Sequence, residues 1–354
     1  MSFLSTSSPS VRIVTDKVTI GGLEFTFQDR SVGGIDDAVY ESDRAVWEAV
    51  PRGDCLISVG DAAVAHVVGL RKFGYPGSPY GRRSEVQSVV FVDKENGECA
   101  HIAAFVHAGV EYWVAGSKHV HLVWRVGHYD ADIAAYVAQR YTTALKVAAV
   151  WNRMLGSAGV DGAWFFTMLS GTGMTACAEA ILADSEHIVE YADGEKDTLK
   201  FFALAEPKAS TPSLCSTPEH ARALFERCGL PTAAFSTKYT VGSSALAAAL
   251  EAIARRNNSE GVVAYGLDSL GLVVYMWKEK SYPYVMERVV REAVIGDKTL
   301  AQIKRRVRAR LDEQAADVRA YFTEWAAVRF PWLLTFAAWL RATRVIPVRD
   351  KWSV

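Results

Sequence analysis

The sequence predicts an α+β protein in two parts: a strand-rich region over residues 1–282 with helices inserted, then a helical region over residues 283–354. Three observations carry this. β-branched runs bounded by Gly, Pro, Asn or Asp recur from Val11 to Lys280, as strands require. Windows with apolar residues at helical spacing interrupt them. After Pro283 the pattern stays helical to about Ala342. A chain of 354 residues is long enough for a large core and two domains.

In chain order, Val11–Phe27 reads as two strands about Gly21-Gly22, a hairpin signal. Ile35–Ala49 reads as a helix whose acidic start, Asp36 and Asp37, suits the helix dipole. Cys55–Val59 is a strand, and Asp61–Leu70 a short helix or loop. Arg71–Arg83 is a Gly/Pro/Tyr-rich loop. Val86–Val92 is a strand closed by Asp93 and Gly97. Strands follow at Cys99–His107, Val110–Ala115 and Val120–Val126, then a long amphipathic helix over Ala131–Leu155. Further strands are expected at Ala163–Leu169, Thr175–Leu182, Ile188–Tyr191 and Leu199–Ala205. Helices at Pro218–Cys228 and Ser243–Arg256 precede two last strands, Gly261–Tyr265 and Leu272–Lys280.

Half the residues are hydrophobic, 22% are charged and the net charge is −1, so the composition is that of a globular enzyme and overall charge does not call for nucleic acid. A nucleic-acid partner would need a local basic surface. One candidate lies between Lys278 and Arg310, where ten Lys/Arg meet four Asp/Glu, densest at Lys304–Arg310. A solvated helix face is the plainer reading of that run. The five cysteines form no C-x-x-C pair, which points to a reducing compartment and away from a disulfide framework. The Ser-rich N-terminus lacks an apolar core for a secretory signal. A cytoplasmic or nuclear location is expected, with a short organelle presequence left open. The apolar stretch Trp325–Leu340 is broken by Arg329 and Pro331 and is too short to span a bilayer, so no membrane association is expected.

Polar residues at strand ends are where side chains converge on a cleft. Arg52, Lys72, Lys94, Lys118, Lys278 and Lys280 are cations in such places, and Glu179 and Glu260 interrupt apolar strands. Converging cations imply a polyphosphate ligand. Glutamates among them imply a divalent metal or hydrogen bonds to a ribose. Lys94, at the mouth of a buried strand, is the candidate nucleophile, since burial and neighbouring cations favour a neutral amine. His119 and His121 share one strand face, but no third ligand is evident, so zinc is not expected.

Lys94-Glu95-Asn96-Gly97, Ser259-Glu260-Gly261-Val262-Val263 and Lys278-Glu279-Lys280 stand in the order of motifs I, IV and V of the covalent nucleotidyltransferases. The set resembles ATP-dependent RNA ligases, of the phage type and of the fungal tRNA ligase domain. Arg52-Gly53, Lys72-Phe73, Lys118 and the segment from Ala178-Glu179 to Tyr191 extend the resemblance over roughly residues 50–282. Two positions depart from the pattern. Gly74-Tyr75 stands where a second Phe and an Asn are usual, and Asn96 where Asp is commoner.

The resemblance implies an antiparallel-sheet nucleotidyltransferase domain over residues 1–282 and an all-α domain over 283–354. It implies ATP and Mg²⁺ (or Mn²⁺) as cofactors. The implied substrate is RNA with 5′-phosphate and 3′-hydroxyl ends, joined by a monomer during RNA repair or processing. Lys94 would carry AMP. Arg52, Lys72, Phe73, Glu95, Asn96, Gly97, Lys118, Glu179, Glu260, Lys278 and Lys280 would line the nucleotide site, with Glu179 and Glu260 as metal ligands. A DNA ligase, a GTP-dependent capping enzyme and an inactive nucleotide- or RNA-binding subunit are the alternatives.

Overall fold

The computed structural model describes residues 8–295, apart from 35, 186 and 208–212, together with isolated positions between 299 and 309. Thirteen strands and eight α-helices are recorded among them. Contacts divide the chain into two compact units: Met1–His187, Tyr191–Ala249 and Val262–Glu279 form one; Ile188–Glu190, Leu250–Gly261 and Lys280–Val354 form the other.

The first unit is built on three sheets. β1 (Val11–Ile20), β2 (Leu23–Val32), β3 (Asp54–Val59) and β4 (Ala62–Val67) lie in chain order and pair antiparallel. Between β2 and β3 are inserted α1 (Asp36–Ser42) and α2 (Arg44–Ala49). The expected single helix is broken because the Asp43 carboxylate accepts from Val46 N–H at 3.1 Å, starting a new helix there. The expected helix or loop over Asp61–Leu70 is a strand instead, since β4 completes its hydrogen bonds on β3.

β5 (Ser88–Asp93) leads into β6 (Glu98–His107), β7 (Val110–Gly116) and β8 (His121–Arg125). The expected long helix over Ala131–Leu155 is interrupted. α3 spans Tyr129–Ile133 and α4 spans Thr142–Leu155. Between them the Tyr136 hydroxyl accepts from Val123 N–H at 2.8 Å and donates to its carbonyl at 3.0 Å, tying this stretch to β8.

Ala163–Leu169, expected as a strand, lies in α5 (Gly162–Thr172). Asp161 caps that helix on Trp164 N–H at 3.0 Å, and the buried residues Phe165, Phe166 and Leu169 fall on one helical face. β9 (Thr175–Ile181) and β10 (Thr198–Ala205) join the second sheet, in the order β10-β9-β6-β7-β8.

After α6 (Pro218–Arg227) comes β11 (Phe235–Thr240), a strand with no counterpart among the sequence expectations. It lies at a sheet edge and its sequence, FSTKYT, is mostly polar. After α7 (Ser244–Ala254) come β12 (Gly261–Leu267) and β13 (Val273–Lys280), which form the third sheet with β11 and β5 in the order β11-β5-β12-β13.

The main core lies between the first two sheets and the helices. Phe25 of β2 meets Tyr112 of β7 edge-on at 5.3 Å. On the helical side Trp113 meets Trp151 of α4 at 5.2 Å and Phe166 of α5 at 5.1 Å. Each such fully buried aromatic contributes roughly 2–3 kcal/mol by removing apolar surface from water. A second core joins the third sheet to the second, packing Val90, Val92 and Tyr265 with Cys177 and Ala203.

In the second unit, α8 (Tyr282–Ile295) starts the region expected to be helical. Ile188–Tyr191, expected as a strand, forms none: Glu190 N–H donates to the Asn258 side chain at 2.7 Å, and the Asn258 amide donates to the Glu190 carbonyl at 2.9 Å. These side-chain bonds stand where a ladder would have been. The apolar stretch Trp325–Leu340 and most of the basic run Lys304–Arg310 lie outside the described residues.

Candidate active site

Lys94 occupies the crossing from the third sheet to the second. β5 ends at Asp93, and Lys94-Glu95-Asn96-Gly97 bridges to Glu98, where β6 begins. The loop is held from two sides. The Tyr191 hydroxyl accepts from Asn96 N–H at 2.7 Å and donates to Glu95 Oε2 at 2.9 Å. Glu179, on β9, accepts from Gly97 N–H at 3.0 Å. Lys200 of β10 pairs with Glu95 at 3.2 Å and lies 5.1 Å from the centre of the Tyr191 ring. Gly97 must be glycine: a Cβ there would fall 2.4 Å from the Ala180 carbonyl oxygen. The four-residue motif is thus a backbone corner fixed by a carboxylate and a phenol, and Lys94 is its half-buried first residue.

A second cluster gathers Arg52, Lys72 and Lys118 from separate segments of the same unit. Arg52 precedes β3, Lys72 follows β4, and Lys118 lies in the β7–β8 turn. All three converge on Asp36 Oδ2, at 2.9 Å from Arg52, 3.6 Å from Lys72 and 3.4 Å from Lys118, and Lys72 also pairs with Asp37. Lys72 is only 6% exposed, and its carbonyl accepts from Trp47 Nε1 at 2.6 Å. Phe73, beside it, packs on the second core.

Burial drives the Lys118 amine below its ordinary range, Arg52 adds to this, and Asp36 opposes it. Burial pushes the Asp36 carboxyl upward, but Lys72, Arg52 and Lys118 together outweigh it and hold the group below the carboxylate range. The two clusters are electrostatic neighbours. The half-buried Cys99 thiol is pushed up to about 12 first by desolvation and then by Glu179, while Arg52, Lys118 and Lys94 pull it down.

Lys278 of β13 donates its backbone N–H to the Gly74 carbonyl at 2.9 Å, and its ammonium lies 4.6 Å from the centre of the Tyr75 ring. Gly74-Tyr75, the departure from the family pattern, is therefore where the loop after Phe73 meets β13. A Cβ at Gly74 would fall 2.6 Å from the Ser78 side chain.

Glu260 and Lys280 belong to the second unit, where they form an ion pair at 3.1 Å with side chains only 4% and 8% exposed. Ser281 N–H donates to the Glu260 carbonyl at 3.1 Å, so the two motifs are also tied through the backbone. Losing either charge of such a buried pair costs roughly 3–5 kcal/mol.

Sequence reasoning missed three participants. Asp36 and Asp37 read only as dipole-complementing residues, and Tyr191 as part of a strand. Each partners residues more than thirty positions away or on other elements, so no local pattern marks it. Asp29, Cys55 and His121 also gather in the core: their ligand-type atoms lie within 4.8 Å of one another. There the His121 ring approaches Asp29 at 2.8 Å, and Arg140 takes the other carboxylate oxygen at 3.4 Å. That is the pattern of a hydrogen-bonded buried carboxylate.

The architecture is shared with solved proteins. An archaeal ATP-dependent RNA ligase superposes in its form 1 with a TM-score of 0.57 at 18% identity, over 91% of this chain and 74% of that one. Its form 2 gives 0.52 at 17% identity, over 91% and 73%. The chain therefore has the nucleotidyltransferase-type fold of ATP-dependent RNA ligases. By sequence it belongs to the family described as a domain of unknown function, DUF7920, which matches residues 4–291. No curated protein matches it. Among the described residues no helix is long and apolar enough to cross a membrane.

Proposed function

We propose that the protein is an ATP-dependent RNA ligase that works through a lysyl-AMP on Lys94. The observation that carries this reading is the Lys94–Gly97 corner, pinned by Glu179 and Tyr191 beside a triad of cations, within a ligase-type fold. In the first step the Lys94 amine attacks the α-phosphorus of ATP. A P–N bond forms, the bond to the β-phosphate oxygen breaks, pyrophosphate leaves and the amine gives up a proton. In the second, a 5′-phosphate oxygen of RNA attacks the same phosphorus and releases Lys94, leaving AMP on the RNA end through a pyrophosphate link. In the third, an RNA 3′-hydroxyl attacks the 5′-phosphate and AMP departs.

Arg52, Lys72 and Lys118 would bind phosphates, and Lys278 and Lys280 the α-phosphate. Glu179 would serve the ribose or a metal, and Glu260 a metal. Their oxygens are of the hard type that Mg²⁺ or Mn²⁺ takes, so the residue types fit. A bound divalent cation would supply charge neutralisation on the phosphates. The substrate would be RNA with a 5′-phosphate and a 3′-hydroxyl, and the role repair or processing.

Incubation with α-labelled ATP and a divalent cation tests the reading. The expected result is a covalent AMP adduct on the wild-type protein and none on Lys94→Ala. Labelling of Lys94→Ala, or labelling by GTP in place of ATP, would overturn it. Sealing of a nicked RNA, compared with a nicked DNA, tests the substrate.

A further inference from the structure

Asp36 Oδ2 is a carboxylate oxygen contacted by three cations from three different segments of the first unit. Asp37 adds a second carboxylate on Lys72. One carboxylate needs one such partner. Three cations converging on one oxygen is the arrangement that a phosphate oxygen attracts, because a phosphate spreads about two charges over several acceptors. A second observation also points to a ligand: Arg52 Nε is buried and has no hydrogen-bond partner. The guanidinium spends Nη2 on Asp36 and keeps a donor that a larger anion could use. Arg52, Lys118 and Asp36 share the wall of a small, open cleft with Arg30, Tyr40 and His119. Lys72, Arg52 and Lys118 outweigh burial and hold the Asp36 carboxyl below the usual carboxylate range.

We propose that Asp36 is a built-in competitor for phosphate. In the absence of ligand its carboxylate holds the Arg52–Lys72–Lys118 seat, and a phosphate-bearing ligand enters by displacing it. Asp36 sits in the first turn of α1, just after Gly33-Gly34, while Tyr40 near the other end is buried and donates to the Val50 carbonyl at 3.0 Å. The acidic end can therefore leave the seat while the helix stays anchored. The consequence is selectivity by charge. A singly charged anion gains nothing by replacing Asp36, whereas a phosphate dianion does. The ligand chemistry is a terminal phosphate, supplied either by the polyphosphate of a nucleotide or by the 5′-phosphate of a polynucleotide. Only this choice of ligands rests on the proposed ligase activity.

The test measures binding without any reaction. Full-length wild-type protein and Asp36→Asn are titrated, in the absence of ATP, with inorganic pyrophosphate, a 5′-phosphorylated oligoribonucleotide and its 5′-hydroxyl counterpart. Asp36→Asn keeps the side-chain shape and removes the competing charge. It is expected to bind pyrophosphate, the 5′-phosphorylated oligonucleotide or both about tenfold more tightly at low salt, with the gain shrinking as salt rises. The 5′-hydroxyl oligonucleotide should show no gain. Which of the first two responds identifies the source of the phosphate.

Thermal unfolding supplies a second signature. Asp36→Asn should melt below wild type without ligand, since Arg52 and Lys118 lose their counter-ion while Lys72 keeps Asp37, and should recover more on adding pyrophosphate. Asp37→Asn, whose carboxylate is more exposed, should show a smaller gain. Equal or weaker binding by a folded Asp36→Asn overturns the proposal, and so does failure of both proteins to bind any of the phosphate ligands. A failure of ATP labelling with the tenfold gain intact would overturn the ligase reading and leave this one standing.

Discussion

At the Lys94 loop one phenol oxygen joins two neighbours of the candidate nucleophile. The Tyr191 hydroxyl accepts from Asn96 and donates to Glu95, and burial together with the Glu95 carboxylate keeps it protonated. Asn96 acts here through its backbone N–H, which any residue but proline could supply. Tyr191→Phe removes both bonds and keeps the ring. The expected loss is about 1–2 kcal/mol of stability and a slower formation of the AMP adduct, about tenfold, because the loop that aims Lys94 loses one of its two clamps. A thermal melt and single-turnover labelling with ATP check the two parts. Unchanged labelling would show that the Glu179 clamp suffices alone.

At the scale of elements, the start of β3 is set by a contact between backbone and ring. Gly69 N–H donates to the Arg52 carbonyl at 2.6 Å, and Arg52 N–H donates to Leu70 at 3.2 Å, so Arg52-Gly53 is paired with the chain leaving β4. Both segments lie over His101 of β6. Gly53 has φ +61, and a Cβ there would fall 2.0 Å from the His101 ring. Gly53→Ala is therefore strained by its backbone angle and blocked by a ring that cannot retreat, at a cost of roughly 3 kcal/mol or more. Its urea midpoint should fall with an unchanged slope, and pyrophosphate affinity should fall as Arg52 shifts. The sequence shows an Arg-Gly pair; the reason for the glycine is a histidine forty-eight positions away, which no local pattern contains.

At the scale of the whole molecule, His101 makes stability depend on pH. It is 2% exposed, and burial, with the nearby His121, lowers its pKa to about 3. The unfolded chain takes up a proton near pH 6.5, where the folded protein does not. Stability is therefore fully present above about 6.5 and declines as pH falls toward 3, by of order 4 kcal/mol over the window. The depressed carboxyls of Asp36 and Asp37 act lower: their contribution is present above about 3.8 and is lost only below it. Urea unfolding at pH 7, 5.5 and 4.5 should show the decline, and His101→Gln should make it shallower between 6.5 and 4.5, leaving the part due to His119, whose pKa desolvation lowers to about 4. A flat wild-type profile over that range would contradict the buried neutral ring.

The amino-acid order alone determined the strand-rich plan, the hairpin at Gly21-Gly22, and the positions of Lys94, Glu179 and the cations at strand ends. Those signals are local: side-chain period, turn residues and composition. It misread Ala163–Leu169 and Asp61–Leu70, because a short apolar run has no period long enough to separate helix from strand. It also passed over β11, whose polar residues suit an exposed edge. Only the tertiary structure decided what each charge faces. Asp36, written as a helix-dipole residue, closes on Arg52, Lys72 and Lys118, and Tyr191, written as a strand residue, clamps the Lys94 corner. Pairings of this kind depend on sheet order and register, which bring together side chains that no spacing along the chain relates.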